Sequence, residues 1–169
     1  MKKLMALVAG HWLLITAASA AMPMSGFYRT IDDASGNSRS IVRLYECGNY
    51  MCGRVVALFN DNGTAIEDTI VAPTRRAQRI SGNPYVSGLD IIWGMSWDGA
   101  RNEFRGGNIM DPQNGRVFSS RMWMENDTLR VRGQIGPVGR TQTWHPIATA
   151  DLPTELRTLD VSTWTPTTR

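Results

Sequence analysis

The chain has 169 residues, with 18 Lys and Arg against 15 Asp and Glu and a formal net charge of +3. Both lysines, Lys2 and Lys3, lie in the first residues; without them 16 arginines face 15 acids, a net charge of +1. So balanced a chain gives no support for nucleic-acid binding.

The N-terminus reads MKKLMALVAGHWLLITAASAAMP. Lys2 and Lys3 form a positive n-region, Leu4 to Thr16 is mostly apolar, and Ala18-Ser19-Ala20 fits a small-residue cleavage site. This pattern predicts a signal peptide over residues 1–20, too short for a membrane anchor. No later segment is apolar enough to span a bilayer as a helix. The expected product is periplasmic or secreted, with 149 residues remaining after cleavage, enough for one domain with a real core. That domain is expected over residues 21–150, followed by a tail over 151–169.

Short alternating runs punctuated by Gly and Asn follow, and helical periodicity is poor, as in an antiparallel all-β protein. Strands are predicted at residues 26–30, 39–46, 52–59, 89–95, 102–105, 116–124, 128–135 and 139–144. Residues 61–83 carry the weakest pattern. Cys47 and Cys52 flank Gly48-Asn49-Tyr50-Met51. A hairpin with Asn49-Tyr50 as its loop sets the two cysteines face to face, with Val42 and Leu44 across from Ala57 and Val55. In an oxidising compartment this predicts a structural disulfide.

"GGNIMDPQNGRVFSS", Gly106 to Ser120, raises the possibility of a cation loop. Only Asp111 in it is charged, whereas a calcium loop uses several carboxylates. Asp111, Pro112 and Gly115 are instead the ingredients of a tight turn: an acceptor for backbone N–H groups, a fixed φ, and freedom for positive φ. No metal site is expected. The next hairpin can be registered from its pattern. With Asn126-Asp127 as the turn, Met122 and Met124 oppose Val131 and Leu129 on one face. The other face pairs Trp123 with Arg130, a candidate cation–π contact, and Arg121 with Arg132. About eight short strands of this kind suggest a small up-and-down barrel or a sandwich. Beyond them lies an irregular C-terminal tail with a helical turn near residues 153–156.

The run "FRGGNIMDPQNGRVFSSRMWMENDTLRVRGQIGPVGRTQTW" resembles the signature half of a bacterial family, domain-of-unknown-function family 2147. "SIVRLYECGNYMCGRVVAL" is similar to that family's first, cysteine-bearing hairpin, and "NPYVSGLDIIWGM" to its central strand. The resemblance covers about Gly26 to Trp144. It implies an exported protein with a lipocalin-like barrel and carries no assigned activity. Members usually open with Gly-x-Trp and close with Trp-x-Arg. Here Gly26-Phe27-Tyr28 and Trp144-His145-Pro146 stand at those places, so both partners of the usual closure are changed.

Chemistry is sparse. After the leader His145 is the one histidine, and no nucleophile elbow or phosphate loop accompanies it. No catalytic residue and no cofactor are assigned. Trp93, Trp97, Trp123 and Trp144 fit either a core or a pocket lining. Arg75, Arg76 and Arg79 fit a solvated loop or an anion contact. The leading expectation is a non-enzymatic barrel of the cell envelope that binds a small, partly apolar ligand through those tryptophans. The alternative is an interaction module whose face of Arg121, Arg130 and Arg132 contacts a protein or an anionic surface polymer. A hydrolase acting through His145 is third.

Overall fold

The computed structural model describes residues 22–167; the leader expected over 1–20 lies outside them. Among the described residues the strands are β1 (Gly26–Ile31), β2 (Ser38–Cys47), β3 (Tyr50–Phe59), β4 (Ile66–Thr69), β5 (Asp90–Asp98), β6 (Glu103–Met110), β7 (Val117–Glu125), β8 (Thr128–Ile135) and β9 (Val138–Ile147). All pairings are antiparallel, in the order β2-β1-β9-β8-β7-β6-β5-β3-β4, and β2 also pairs with β3. That last pairing closes an eight-stranded barrel and leaves β4 as a short extra strand on β3. Closure removes the free edges that an open sheet would expose.

The β7–β8 hairpin has the register the pattern predicts, Met122 against Val131 and Met124 against Leu129. Its turn uses Asn126 and Asp127, both with positive φ, as a type I′ turn requires. The first hairpin is shifted by two residues from the expected one. Cys47 pairs with Tyr50 and Tyr45 with Cys52, so the turn is Gly48-Asn49 rather than Asn49-Tyr50. The reason is Gly48, whose φ of +68° lets the chain reverse one residue earlier. Val42 therefore faces Val55, and Leu44 faces Gly53. The cysteines end up diagonal across the ladder with Cα atoms 5.9 Å apart, and they are bridged.

Side chains that point inward from the strands meet in one core cluster. Leu44, Met51, Met95, Phe104, Met122 and Leu129 are fully buried there and fill the narrow end of the barrel. Tyr28 stands where the family resemblance would place Trp; it is buried and donates from its hydroxyl to the Met24 carbonyl at 3.0 Å. Burial pushes the Tyr28 phenol up, against the opposing pull of Arg43. The paired glycines of the quoted run have a packing reason. Gly106 has φ +79° at an irregularity in the β6–β7 ladder, and a Cβ on Gly107 would lie 2.3 Å from the Trp93 carbonyl oxygen.

At the wide end β5 parts from β3. Their pairing covers Met51 to Arg54, while Ala57 to Phe59 pair with β4 instead. The chain between β4 and β5, poorly patterned in sequence, fills the gap. It hydrogen-bonds to β3 through Val55 N–H to Leu89 O and Gly88 N–H to Val55 O, and folds on itself through Ala77 N–H to Pro84 O and Val86 N–H to Arg75 O. Ala77 and Ile80 are buried from it into the core. Asp68 fixes its start. Burial pushes the Asp68 carboxyl up, but the Ser87 hydroxyl, the amides of Arg75 and Thr74 and the Thr74 hydroxyl outweigh this and hold it below its usual range.

A second apolar cluster lies on the outside of the barrel. Phe27, Ile41, Val56 and Ala57 pack there against Leu152, Leu156, Leu159 and Trp164 of the tail. The tail is a chain of short turns, including the helical turn α1 (Thr154–Arg157), so it is a cover held by side chains rather than by a ladder.

Candidate functional site

The barrel is hollow above its packed floor. A cavity of about 1510 Å³ opens at the wide end, larger than the roughly 300–1,000 Å³ typical of small-ligand pockets because it runs out through the mouth. Its inner wall carries Val55, Leu58, Ile91, Ile109, Phe118, Val131 and Trp144. Strand alternation brings these inward from six strands and leaves a few polar groups among them. Thr30 and Ser40, opposite one another on β1 and β2, share a hydroxyl contact of 2.7 Å. Gln142 accepts the Trp144 indole N–H at 3.2 Å.

The mouth is made by the β1–β2, β3–β4, β6–β7 and β8–β9 turns and the inserted 70–89 segment, and it is rich in arginine. Arg39 pairs with Asp32 at 2.6 Å, Arg75 with Glu67 at 2.8 Å and Asp61 at 3.7 Å, and Arg140 with Asp33 at 2.5 Å. The amide of Ser35, then Arg39 and the Ser35 hydroxyl, bring the Asp32 carboxyl down to about 2. Asp111 is occupied by its own turn: its carboxylate accepts from the Gln113 amide at 2.9 Å and the Asn114 side chain at 2.7 Å. The Gly115 amide closes the turn onto the Asp111 carbonyl, with Gly115 at φ +72° and Pro112 between them.

Of the four tryptophans, Trp144 alone lines the cavity. Trp93 borders a separate groove of about 210 Å³ with Arg79, Asp90 and Thr167. Trp97 is partly exposed and tilts against Phe104, ring centres 5.0 Å apart, near the narrow end. Trp123 opposes Glu103 and Arg130 on the outer wall. Its cation is Arg121, with the guanidinium 4.9 Å from the ring centre, and not the Arg130 that strand pairing suggested. Arg130 turns instead to Glu125, at 3.4 Å, and to the Thr143 hydroxyl. Arg121 lies 3.6 Å from Glu103, and Arg132 reaches Gln134 at 3.3 Å and Thr141 at 3.2 Å. The three arginines of this face therefore sit outside the barrel, away from the cavity. His145 is exposed on the same outer side, opposite Arg29.

The sequence singles out Arg75, Arg76 and Arg79 but not the polar lining or the other mouth arginines, Arg39, Arg116 and Arg140. A bridge between Arg76 and Tyr85 sets the Arg76 guanidinium 3.9 Å from that ring's centre. The only sequence signal was the cluster Arg75-Arg76-x-x-Arg79 itself.

The family model for "Uncharacterized protein conserved in bacteria (DUF2147)" matches residues 26–146. Among solved structures, the chain is similar to protein HP1028 from Helicobacter pylori, described as belonging to the lipocalin family. The match has 16% identity and a TM-score of 0.58, over 73% of this chain and 82% of that one. At that identity the likeness concerns the fold. None of the curated proteins compared with the chain matches it.

Proposed function

The chain belongs to the bacterial family DUF2147 and has a lipocalin-like barrel, and on that premise we propose that it binds a small, partly apolar molecule inside the barrel. The observation that carries this reading is the cavity itself, with apolar walls, a few inward polar groups and one open end. A barrel with no binding role gains stability from filling its interior with side chains, and the lower half of this one is filled in that way. We further propose that the protein works outside the cytoplasm. The leader-like N-terminus and the Cys47–Cys52 bridge support that placement.

The alternative, contact with a protein or polymer through the outer arginines, has less support. Glu103 and Glu125 already lie against Arg121 and Arg130, at 3.6 and 3.4 Å, and supply their counter-charges from within the protein. To test the cavity reading, the purified protein is incubated with a lipid extract of bacterial envelopes and analysed by native mass spectrometry. A retained small molecule is expected, and Val131→Phe, which narrows the cavity, should lose it while keeping the melting temperature within a few degrees. Retention of nothing by the parent protein, or equal retention by the narrowed variant, would count against the reading.

A further inference from the structure

We propose that the ligand is a single-chain amphiphile with an oxyanion head, carboxylate or phosphate, and that Arg76, Arg79 and Arg116 hold that head at the mouth. This assignment rests on the cavity reading above and adds the chemistry of one end of the ligand.

The argument begins with charge pairing at the rim. Three of the six arginines that line the cavity and its mouth, Arg39, Arg75 and Arg140, have carboxylate partners within 4 Å, whereas Arg76, Arg79 and Arg116 have none among the described residues. The rim's remaining carboxylate, Asp111, is engaged by its own turn and does not reach them. Arg79 has no hydrogen bond, ion pair or ring contact with any described residue. Arg76 and Arg116 are held by rings rather than by acids. Arg76 lies over Tyr85 at 3.9 Å and gives one N–H to the Asn83 carbonyl at 2.9 Å; Arg116 lies over Phe118 at 5.4 Å. Ring contacts fix the position of a guanidinium while leaving most of its N–H edge free for an oxyanion.

The three also come from segments that meet. The Arg79 carbonyl lies 3.1 Å from the place a Cβ on Gly115 would occupy, so the inserted loop packs on the turn that carries Arg116. Phe118, under Arg116, is itself part of the cavity wall. Cationic rim and apolar interior are thus contiguous, and one molecule with an anionic end and a hydrocarbon end matches both. A neutral hydrocarbon would leave the guanidiniums without a partner, and a small free anion would leave the apolar wall uncovered.

The test uses the purified, delipidated protein and four sixteen-carbon probes: hexadecanoate, hexadecyl phosphate, hexadecanol and hexadecyltrimethylammonium. Each competes against a fluorescent fatty-acid analogue at low and high salt. At low salt one or both anionic probes should bind at least tenfold more tightly than the alcohol and the cation, which is about 1.4 kcal/mol. The advantage should shrink with added salt because the rim is exposed. The better anion identifies the head. The variant R76Q/R79Q/R116Q should bring that anion to the level of the alcohol and leave the alcohol unchanged. Arg101→Gln, on the β5–β6 turn at the other end of the barrel, should change neither. Equal affinity for anions and alcohol, or a triple variant that retains the preference, overturns the headgroup assignment while the cavity reading stands. Failure of all four probes to bind overturns both.

Discussion

Arg54 and Arg76 both lie against aromatic rings, and they stand in opposite chemical situations. Arg54 is buried on the outer wall beneath the tail. It makes two contacts with Asp90, at 2.7 and 3.1 Å, donates to the Thr165 carbonyl at 2.7 Å, and stacks over Trp164 at 4.6 Å. Asp90 also accepts from the Tyr45 hydroxyl at 2.8 Å and from the amide and hydroxyl of Thr167. Burial, with Asp90 beside it, pushes the Tyr45 phenol well up. Every partner in that cluster belongs to the protein. Arg76, by contrast, is exposed at the mouth with one carbonyl and one ring for company. A satisfied buried arginine holds the fold together, and an exposed one without an acid is available for something else.

The comparison breaks most sharply at Asp90. Asp90→Ala leaves the Arg54 charge buried without its partner, and a loss of about 3–5 kcal/mol in urea unfolding is expected. Should the loss fall under 1 kcal/mol, the tail cluster is no anchor. Leu156→Ala, at a fully buried position of the tail, should cost about 3 kcal/mol by the same measurement. Reducing the Cys47–Cys52 bridge should lower stability by about 2 kcal/mol without unfolding the protein, because the closed loop is short. At the mouth, Arg76→Gln should shift stability by no more than about 0.5 kcal/mol. A large effect there would mean that Arg76 is structural after all.

The smallest expected effect is an acid-range one. Asp32 has its carboxyl lowered from 3.8 to about 2, so it contributes stability above about pH 4 that fades as pH falls toward 2. Asp32→Asn should remove that part of the acid dependence. Comparing the melting temperatures of the two proteins from pH 5 to pH 2 checks it: the difference should narrow as the pH drops.

The strands were legible wherever alternation ran for five residues or more, and the β7–β8 register followed from its apolar face alone. β4 escaped because it is four residues long, Ile66 to Thr69, beside a register shift, too short to show a period. The first hairpin was misplaced because two cysteines were set directly opposite, when a diagonal pair also bridges and Gly48 prefers the turn. The site was hidden for a different reason. Periodicity says which residues share a face, and it separated Met122 from Trp123 correctly. It cannot say that residues 70–89 fold back into the wall, and that insertion is what carries Arg76 and Arg79 to the mouth.

The way the barrel closes also bears on when it can fold. β1 finds its second neighbour only in β9, with Phe27 against Ile147, and the Arg54–Asp90 pair is covered only once Thr165 and Thr167 arrive. A nascent chain stopped after β8 has an open sheet and an uncovered ion pair. Completion thus waits on segments made more than a hundred residues after the first strand, and long-range closure of this kind is slow. A chain that stays unfinished until β9 and the tail are made keeps its apolar strand faces and sheet edges open through most of its synthesis.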